Sequence, residues 1–140
     1  GWNYEIIATD LAEKVLDKAR QGCFTQFEVQ RGLPIQMLVK YFSAQPDTSW
    51  KVNSNLRNMV KFQMLNLLGD YGALGKFDVI FCRNVLIYFD EPTKASIIDR
   101  LANALEPGGV LFLGSTESIL EKNAARLEQI QDLRGIYRLK

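Results

Sequence analysis

Short apolar segments alternate with helical patterns along this chain, and this alternation restricts the fold more than any other feature. Residues 4–9 form an apolar run with a β-branched centre, and a helical pattern begins directly after it, at Asp10. Residues 77–82 form a second apolar run, followed by a helical pattern over 91–105 and a third run at 110–113. Strands that alternate with helices at this spacing predict an α/β fold with a mostly parallel sheet.

Polar residues, prolines and glycines predict where the two main helices begin and end. Asp10 and Glu13 stand three residues apart, as in a capping box, and Gly22 can end the first helix. Asp90 with Pro92 predicts the start of the second helix, which the Pro-Gly-Gly sequence at 107–109 would break.

The middle of the chain has a different character. Pro34 predicts the start of a short helix, and the polar residues 43–49 predict a surface loop. Apolar residues alternate at 50–52 and again at 59–65, with a turn predicted at 53–55. We expect a small antiparallel hairpin from these two segments.

The end of the chain predicts a second hairpin, formed by residues 125–130 and 136–139, although a helix is the alternative for its first arm. The whole pattern is typical of an open doubly wound sheet, in which ligands bind beyond the carboxyl ends of the strands. Asp10, Arg83 and Asn84 should therefore lie along the ligand-binding edge.

Composition excludes several functions. The 140 residues include 17 Lys and Arg, 16 Asp and Glu and no histidine, which gives a net charge of +1. Near-neutrality argues against nucleic-acid binding, and the lack of imidazole excludes histidine-dependent nucleophiles and the usual zinc sites, so we expect no metal. No apolar run approaches the length of a membrane span, and the ordinary composition predicts one domain. The two cysteines, Cys23 and Cys82, indicate a reduced intracellular protein.

Three polar residues follow predicted strands and are candidates for a binding site. A carboxylate at Asp10 can accept hydrogen bonds from two ribose hydroxyls, while the alternative is a helix cap, and both roles can coexist. Arg83 and Asn84 interrupt an apolar sequence, so they either bind a polar ligand or cap the following turn. Cys82 is interpreted as a small buried hydrophobic residue.

Several sequence motifs resemble the bacterial chemotaxis receptor methyltransferases of the CheR type. The most specific is the 14-residue string FDVIFCRNVLIYFD at 77–90. The others are Ala8-Thr9-Asp10, Leu33-Pro34 with Tyr41-Phe42, Phe62 with Asn66-Leu67-Leu68, Pro107-Gly108-Gly109, and Leu111-Phe112-Leu113-Gly114 with Glu117. The resemblance covers nearly the whole chain.

The resemblance implies a Rossmann-like, S-adenosylmethionine-dependent methyltransferase fold with a small β-subdomain inserted at about 41–65. Residues 1–140 would be part of this domain. The family's first strand, with its glycine-rich turn, and its helical N-terminal domain have no counterpart in the sequence, so the sheet would have a gap between residues 4–9 and 77–82. We expect strand exchange between chains, a different pairing of residues 4–9, or a partner fragment.

The resemblance also implies the roles of individual residues. The cofactor-binding residues would be Asp10, Asn66, Leu67, Arg83 and Asn84, and the catalytic residues would be Tyr88 and Arg83. The implied activity is transfer of a methyl group from S-adenosylmethionine to glutamate side chains of chemotaxis receptors, in the cytoplasm, with S-adenosylhomocysteine as product. This chain alone would be inactive or nearly so.

Two other functions stay open at this point. The first is a non-catalytic module that keeps the fold and binds a receptor or regulator through the β-subdomain. The second is a small-molecule methyltransferase, which the string at 77–90 disfavours. The family members that dock a receptor peptide have glycines in the β-subdomain, whereas residues 43–64 contain none.

Overall fold

The strands of the chain form three sheets, one of two strands, one of three and one of four. The computed structural model describes all residues from 1 to 140. They divide into two units, Gly1–Asn66 and Leu67–Lys140.

The first unit contains two of the sheets and four helices. In chain order its elements are β1 (Ile6–Asp10), α1 (Glu13–Gln21), β2 (Cys23–Phe24), α2 (Gln26–Gln30), α3 (Ile35–Tyr41), β3 (Phe42–Ala44), β4 (Trp50–Val52), α4 (Ser54–Arg57) and β5 (Val60–Met64). Leu16, Val29 and Leu38, one from each of the first three helices, are its buried aliphatic side chains.

The second unit contains the four-stranded sheet and the longest helix. Its elements are β6 (Phe77–Cys82), α5 (Glu91–Asn103), β7 (Leu105–Leu113), β8 (Leu127–Gln129) and β9 (Ile136–Leu139), with short 3-10 helices at Gly72–Leu74, Leu86–Tyr88 and Glu121–Asn123. The strand order is β6-β7-β9-β8. Ile97 and Ile98 of α5 and Leu105 and Leu111 of β7 are fully buried, so helix and sheet share one core.

The predicted parallel pairing and the closing hairpin are both confirmed. β6 and β7 are parallel, with Cys82 opposite Leu113. β8 and β9 are antiparallel, with Leu127 opposite Leu139, so the first arm of the hairpin is a strand and not a helix. α5 begins at the predicted place, and the Asp90 side chain caps it by accepting a hydrogen bond from the Thr93 N–H at 3.0 Å.

The predicted antiparallel hairpin between residues 50–52 and 59–65 is wrong. β5 pairs in parallel with β1, with Ile6 opposite Val60 and Ala8 opposite Phe62. The one-turn helix α4 stands where the sequence predicts a tight turn, so the chain leaves β4 without turning back along it. Period-two alternation predicts that a segment is a strand, but not which strand is its partner.

β4 instead lies in the centre of the small antiparallel sheet, in the order β2-β4-β3. Phe42 is opposite Val52 on one side of β4, and Cys23 is opposite Lys51 on the other. The strands of this sheet therefore lie within residues 23–52, and they overlap the predicted subdomain at 41–65 only through β3 and β4.

The Pro-Gly-Gly sequence at 107–109 does not end the helix, because α5 already ends at Asn103. It lies inside β7, where the pairing with β6 jumps from Phe77 opposite Leu105 to Val79 opposite Val110. Gly108 has a φ of 77°, in the left-handed region that glycine adopts without steric cost. The glycines form a bulge in the strand.

Candidate functional site

The carboxyl ends of β1 and β5 bring two of the predicted site residues to one edge of a sheet. Asp10 is the last residue of β1, opposite Met64 of β5, and Asn66 follows β5 by two residues. The Leu65 N–H donates a hydrogen bond to the Asp10 carbonyl at 3.0 Å, which holds the segment after β5 beside Asp10. Asp10 and Asn66 therefore lie at the same edge, as expected from their positions after parallel strands.

Asp10 does not cap the following helix. Helix α1 begins at Glu13 with Ala12 as its N-cap residue and no side-chain cap, so the predicted pair of Asp10 and Glu13 is wrong. The Asp10 carboxylate instead accepts a hydrogen bond from the Ala12 N–H at 2.8 Å through Oδ1, which closes a local turn. A carboxylate has two acceptor oxygens, so this turn leaves Oδ2 for a ligand.

Leu67 begins the second unit, in a segment held by α5. Arg100 of α5 donates hydrogen bonds to the carbonyls of Leu68 and Gly69, the second at 2.9 Å. The Tyr71 hydroxyl donates to the Leu67 carbonyl, and burial raises the pKa of Tyr71 to about 12, so this hydroxyl keeps its proton at neutral pH. These contacts fix the backbone around the half-buried Leu67.

Arg83 and Asn84 follow β6 directly, at the carboxyl end of the four-stranded sheet. Both residues are exposed. Asn84 has a φ of 58°, a left-handed conformation that is uncommon outside glycine and that asparagine adopts more readily than most residues. The alternative predicted for this pair, capping of the next turn by their side chains, does not occur at the 3-10 helix Leu86–Tyr88, which has no side-chain cap.

Glu117 holds the backbone of this loop, and sequence reasoning gave it no role. Its carboxylate accepts hydrogen bonds from the N–H groups of Asn84 at 2.8 Å, Leu86 at 2.9 Å and Gly114 at 2.7 Å. Gly114 follows β7, so Glu117 joins the loops at the ends of two neighbouring parallel strands. A signal was present in the sequence, since an acidic residue stands three positions after a glycine that ends an apolar strand.

Tyr88 ends the short 3-10 helix and points its ring into solvent, with 79% of the residue exposed. Leu86, two residues earlier, is only 1% exposed and anchors the same helix in the core. Tyr88 and Arg83 therefore belong to one surface segment, five residues apart in sequence, but no hydrogen bond joins their side chains to each other.

The predicted site residues thus fall into two sets. Asp10 and Asn66 lie at a strand edge of the first unit, and Leu67, Arg83, Asn84 and Tyr88 lie in the second unit. A surface depression of about 520 Å³ in the second unit, lined by Glu91, Pro92 and residues 120–122, contains none of them.

Cys82 precedes Arg83 and is buried, as predicted, with 6% exposure. Burial and, to a lesser extent, the nearby Glu117 carboxylate raise the pKa of its thiol to about 12. Both cysteines are free thiols. Since the thiolate is the reactive form, Cys82 contributes packing and not nucleophilic chemistry.

No helix in the structure has the length and apolar character that crossing a membrane requires.

Comparison with known proteins gives a consistent result. Residues 1–135 match the family model of the CheR methyltransferase, SAM binding domain. Chemotaxis protein methyltransferase 1 of Pseudomonas aeruginosa is 44% identical over 115 residues, which are 82% of this chain and 42% of that protein. Chemotaxis protein methyltransferase 2 of Vibrio cholerae is 44% identical over 117 residues, 82% of this chain and 40% of that protein. The chemotaxis protein methyltransferase of Escherichia coli is 39% identical over 136 residues, 94% of this chain and 46% of that protein.

The chain thus spans less than half the length of these relatives. The resemblance carried by the string at 77–90 is confirmed, and so are the S-adenosylmethionine-dependent methyltransferase fold class and S-adenosylmethionine as the cofactor of this domain. Because the family model matches nearly all of its residues, the chain belongs to the CheR methyltransferases and carries their S-adenosylmethionine-binding domain.

Proposed function

We propose that this chain is the cofactor-binding part of a protein-glutamate O-methyltransferase that modifies chemotaxis receptors in the cytoplasm. The two units would belong to one methyltransferase domain, and the sheet β2-β4-β3 would be its inserted β-subdomain. The observation that carries the proposal is Asp10, whose carboxylate stands at the carboxyl end of β1 with one oxygen bound to the Ala12 N–H and the other left for a ligand.

The residues at the strand ends suit the chemistry of the cofactor. An acceptor-only carboxylate at Asp10 can bind the two ribose hydroxyls, and Asn66 with the apolar Leu67 can line the adenine. The Asn84 amide and the Arg83 guanidinium can contact the methionine end, because they donate hydrogen bonds to a carboxylate. S-adenosylmethionine supplies, when bound, a methyl group on a positively charged sulfur.

The methyl acceptor does not need to be activated by the protein. A glutamate side chain has a reference pKa of about 4.3, so it is already an anion at neutral pH and needs no general base. A chain without histidine can therefore carry out the reaction. We propose that Arg83 or the exposed Tyr88 orients the acceptor carboxylate, Arg83 by paired hydrogen bonds and Tyr88 through its hydroxyl.

The test begins with calorimetric titration of the chain with S-adenosylhomocysteine. We expect saturable binding, weakened about tenfold or more by Asp10→Asn, because an amide N–H₂ would replace one acceptor oxygen. Asp47→Asn is the matched control, since Asp47 also accepts a hydrogen bond from the N–H two residues on, at 3.1 Å, in an exposed turn. Unchanged affinity in Asp10→Asn would contradict the ribose role.

Arg83→Ala completes the binding test, with the exposed Arg134 of the same unit as its control. Loss of affinity in Arg83→Ala but not in Arg134→Ala supports contact with the cofactor. Equal affinity in both variants would leave Arg83 only its role toward the acceptor, which a methylation assay would then measure.

The methylation assay uses radiolabelled S-adenosylmethionine and membranes that contain chemotaxis receptors. We propose that this chain alone transfers little or no methyl group, because it spans less than half of its relatives. Any methyl transfer that does occur should label receptor glutamates and not free small acids. Label in small acids instead would favour a small-molecule methyltransferase.

A non-catalytic interaction module is the second candidate, favoured by exposed apolar side chains on the two helices between β2 and β3 of the small sheet. Phe27 of α2 and Ile35 and Val39 of α3 are each about two-thirds exposed. Receptor binding by a chain that binds no S-adenosylhomocysteine would favour this module over the enzyme.

A further inference from the structure

Glu117 is a buried carboxylate whose hydrogen-bond partners are all backbone groups. It is only 6% exposed, and no Lys or Arg forms an ion pair with it. Oε2 accepts from Asn84 and Gly114, and Oε1 accepts from Leu86. A buried charge without an opposite charge is costly unless hydrogen bonds satisfy it, so this arrangement depends on the backbone donors.

A turn after β7 and the glycine at its start produce this arrangement. The Glu117 N–H donates to the Gly114 carbonyl at 3.0 Å, which folds the chain back after β7 and points the carboxylate at the end of β6. A side chain at position 114 would not fit, because its Cβ would lie 2.5 Å from Asn84 Oδ1 and 2.6 Å from Glu117 Oε2. Gly114 therefore lets the two loops approach closely.

Only a carboxylate suits these donors. A glutamine at position 117 would keep one acceptor oxygen, but its amide N–H₂ would face the N–H groups that Glu117 now accepts. Burial tends to raise the pKa of Glu117, but the N–H groups of Asn84, Gly114, Leu86 and Ile87 together lower it below its usual value. The side chain is therefore an anion at neutral pH, which is the form the loop requires.

The residues held by this anion are the ones next to the proposed ligand contacts. The Asn84 N–H bond fixes a residue in the left-handed conformation, with a φ of 58°. The Leu86 bond fixes the same loop two residues later, and Arg83 precedes it. We propose that Glu117 is a positioning residue that fixes the loop of residues 83–87 so that Arg83 and Asn84 present their side chains to the cofactor, an inference that rests on the proposed cofactor-binding function.

The first measurement reports on the loop alone. In ¹H–¹⁵N spectra of the chain, we expect Glu117→Gln to shift the amide signals of Asn84, Leu86 and Gly114, while amides of the hairpin β8–β9 stay unchanged. Loop signals that stay in place would overturn the inference, whether or not the chain binds S-adenosylhomocysteine. If the wild-type chain binds none, the proposal that this chain binds the cofactor fails, and the spectra still decide whether Glu117 fixes the conformation of the loop.

The second measurement separates positioning from stability. Titration with S-adenosylhomocysteine should show affinity about tenfold lower in Glu117→Gln, measured on the folded chain. The matched control is Asn123→Ala, since Asn123 is also a buried polar residue of the same unit but donates hydrogen bonds to the Ala95 carbonyl and to Asp99. This control should lose stability and keep its affinity, and equal loss of affinity in both variants would overturn the positioning role.

Gly114→Ala gives an independent test should Glu117→Gln fail to fold. Gly114→Ala keeps the Glu117 carboxylate and its charge. The added methyl group displaces Asn84 and the Glu117 side chain by steric contact. We expect the same shifted amide signals and the same loss of affinity. Wild-type affinity in Gly114→Ala, with shifted loop signals, would overturn the link between loop geometry and binding.

Discussion

The two cysteines differ in their surroundings, and the difference predicts their reactivity. Cys82 is buried with a pKa raised to about 12, whereas Cys23 is partly exposed at the start of β2. We expect one thiol per native chain to react quickly with Ellman's reagent at pH 8, and the second only after unfolding. Cys23→Ser should leave no fast-reacting thiol, and two fast thiols in the wild-type chain would contradict the buried position of Cys82.

Glu117 also predicts how stability depends on pH. Its folded-state pKa lies below the ordinary value of 4.5, so as the pH falls the unfolded chain takes up the proton first. The stability that the anion contributes is therefore complete above about pH 4.5 and is lost as the pH falls through the lower, folded-state pKa. Urea unfolding at several pH values should show wild-type and Glu117→Gln differing most near neutral pH and converging in acid. A constant difference would contradict the lowered pKa.

At the residue scale, the sequence predicts where the candidate site residues lie, but not the residue, Glu117, that holds their loop in place. Asp10 ends β1, and Arg83 and Asn84 follow β6, so each lies at the carboxyl end of a strand with a parallel neighbour, where ligands bind in α/β sheets. The role of Glu117 cannot be predicted in this way, because its hydrogen-bond partner Asn84 is 33 residues away in sequence. A bond of this range depends on strand register, which no local pattern encodes.

At the element scale, the N-terminus of α5 offers a direct test of a feature that the sequence does encode. Asp90→Ala removes the acceptor for the Thr93 N–H and should lower the free energy of unfolding by about 1 kcal/mol. Asp90→Asn keeps an acceptor oxygen and should cost much less.

Urea unfolding of both variants checks the expectation, with Glu91→Ala of the same first turn as a control for helix charge. Equal losses in Asp90→Ala and Asp90→Asn would mean that the charge of Asp90, and not the cap, stabilises the helix.

Elements that short sequence patterns define are predicted correctly, whereas the strand pairing of β5, which depends on residues distant in sequence, is not. The strand β6, the start of α5 and the hairpin β8–β9 follow from short patterns. The partner of β5 does not, because its alternating residues fit an antiparallel neighbour as well as the parallel strand β1. The Pro-Gly-Gly sequence at 107–109 fits two structures, since glycines both end helices and form bulges in strands, and the sequence alone does not distinguish them.

At the scale of the whole molecule, β1 and β6 each have one edge without a partner strand. β1 pairs only with β5, and β6 pairs only with β7. An unpaired edge presents N–H and C=O groups on which the strand of another chain can form.

One face of β6 adds apolar surface to its open edge. Val79 is 45% and Phe81 is 70% exposed. The Phe81 ring stacks on Phe112 of β7, with 4.6 Å between ring centroids, and Val79 lies opposite Val110. Together these four residues form an aromatic and aliphatic patch beside an open edge, a combination that favours association between chains.

We therefore expect the chain to self-associate, in a way that depends on its concentration. Sedimentation velocity from low to high micromolar concentration should show the average mass rising above that of a 15.9 kDa monomer. Phe81→Lys should shift this rise to higher concentration, because a lysine on an edge strand opposes pairing with another strand. Phe27→Lys removes an apolar ring of nearly the same exposure, 67% against 70%, from a helix instead. Equal effects of the two substitutions would assign the association to general hydrophobicity, and a monomer at all concentrations would show that β6 keeps its open edge without a partner.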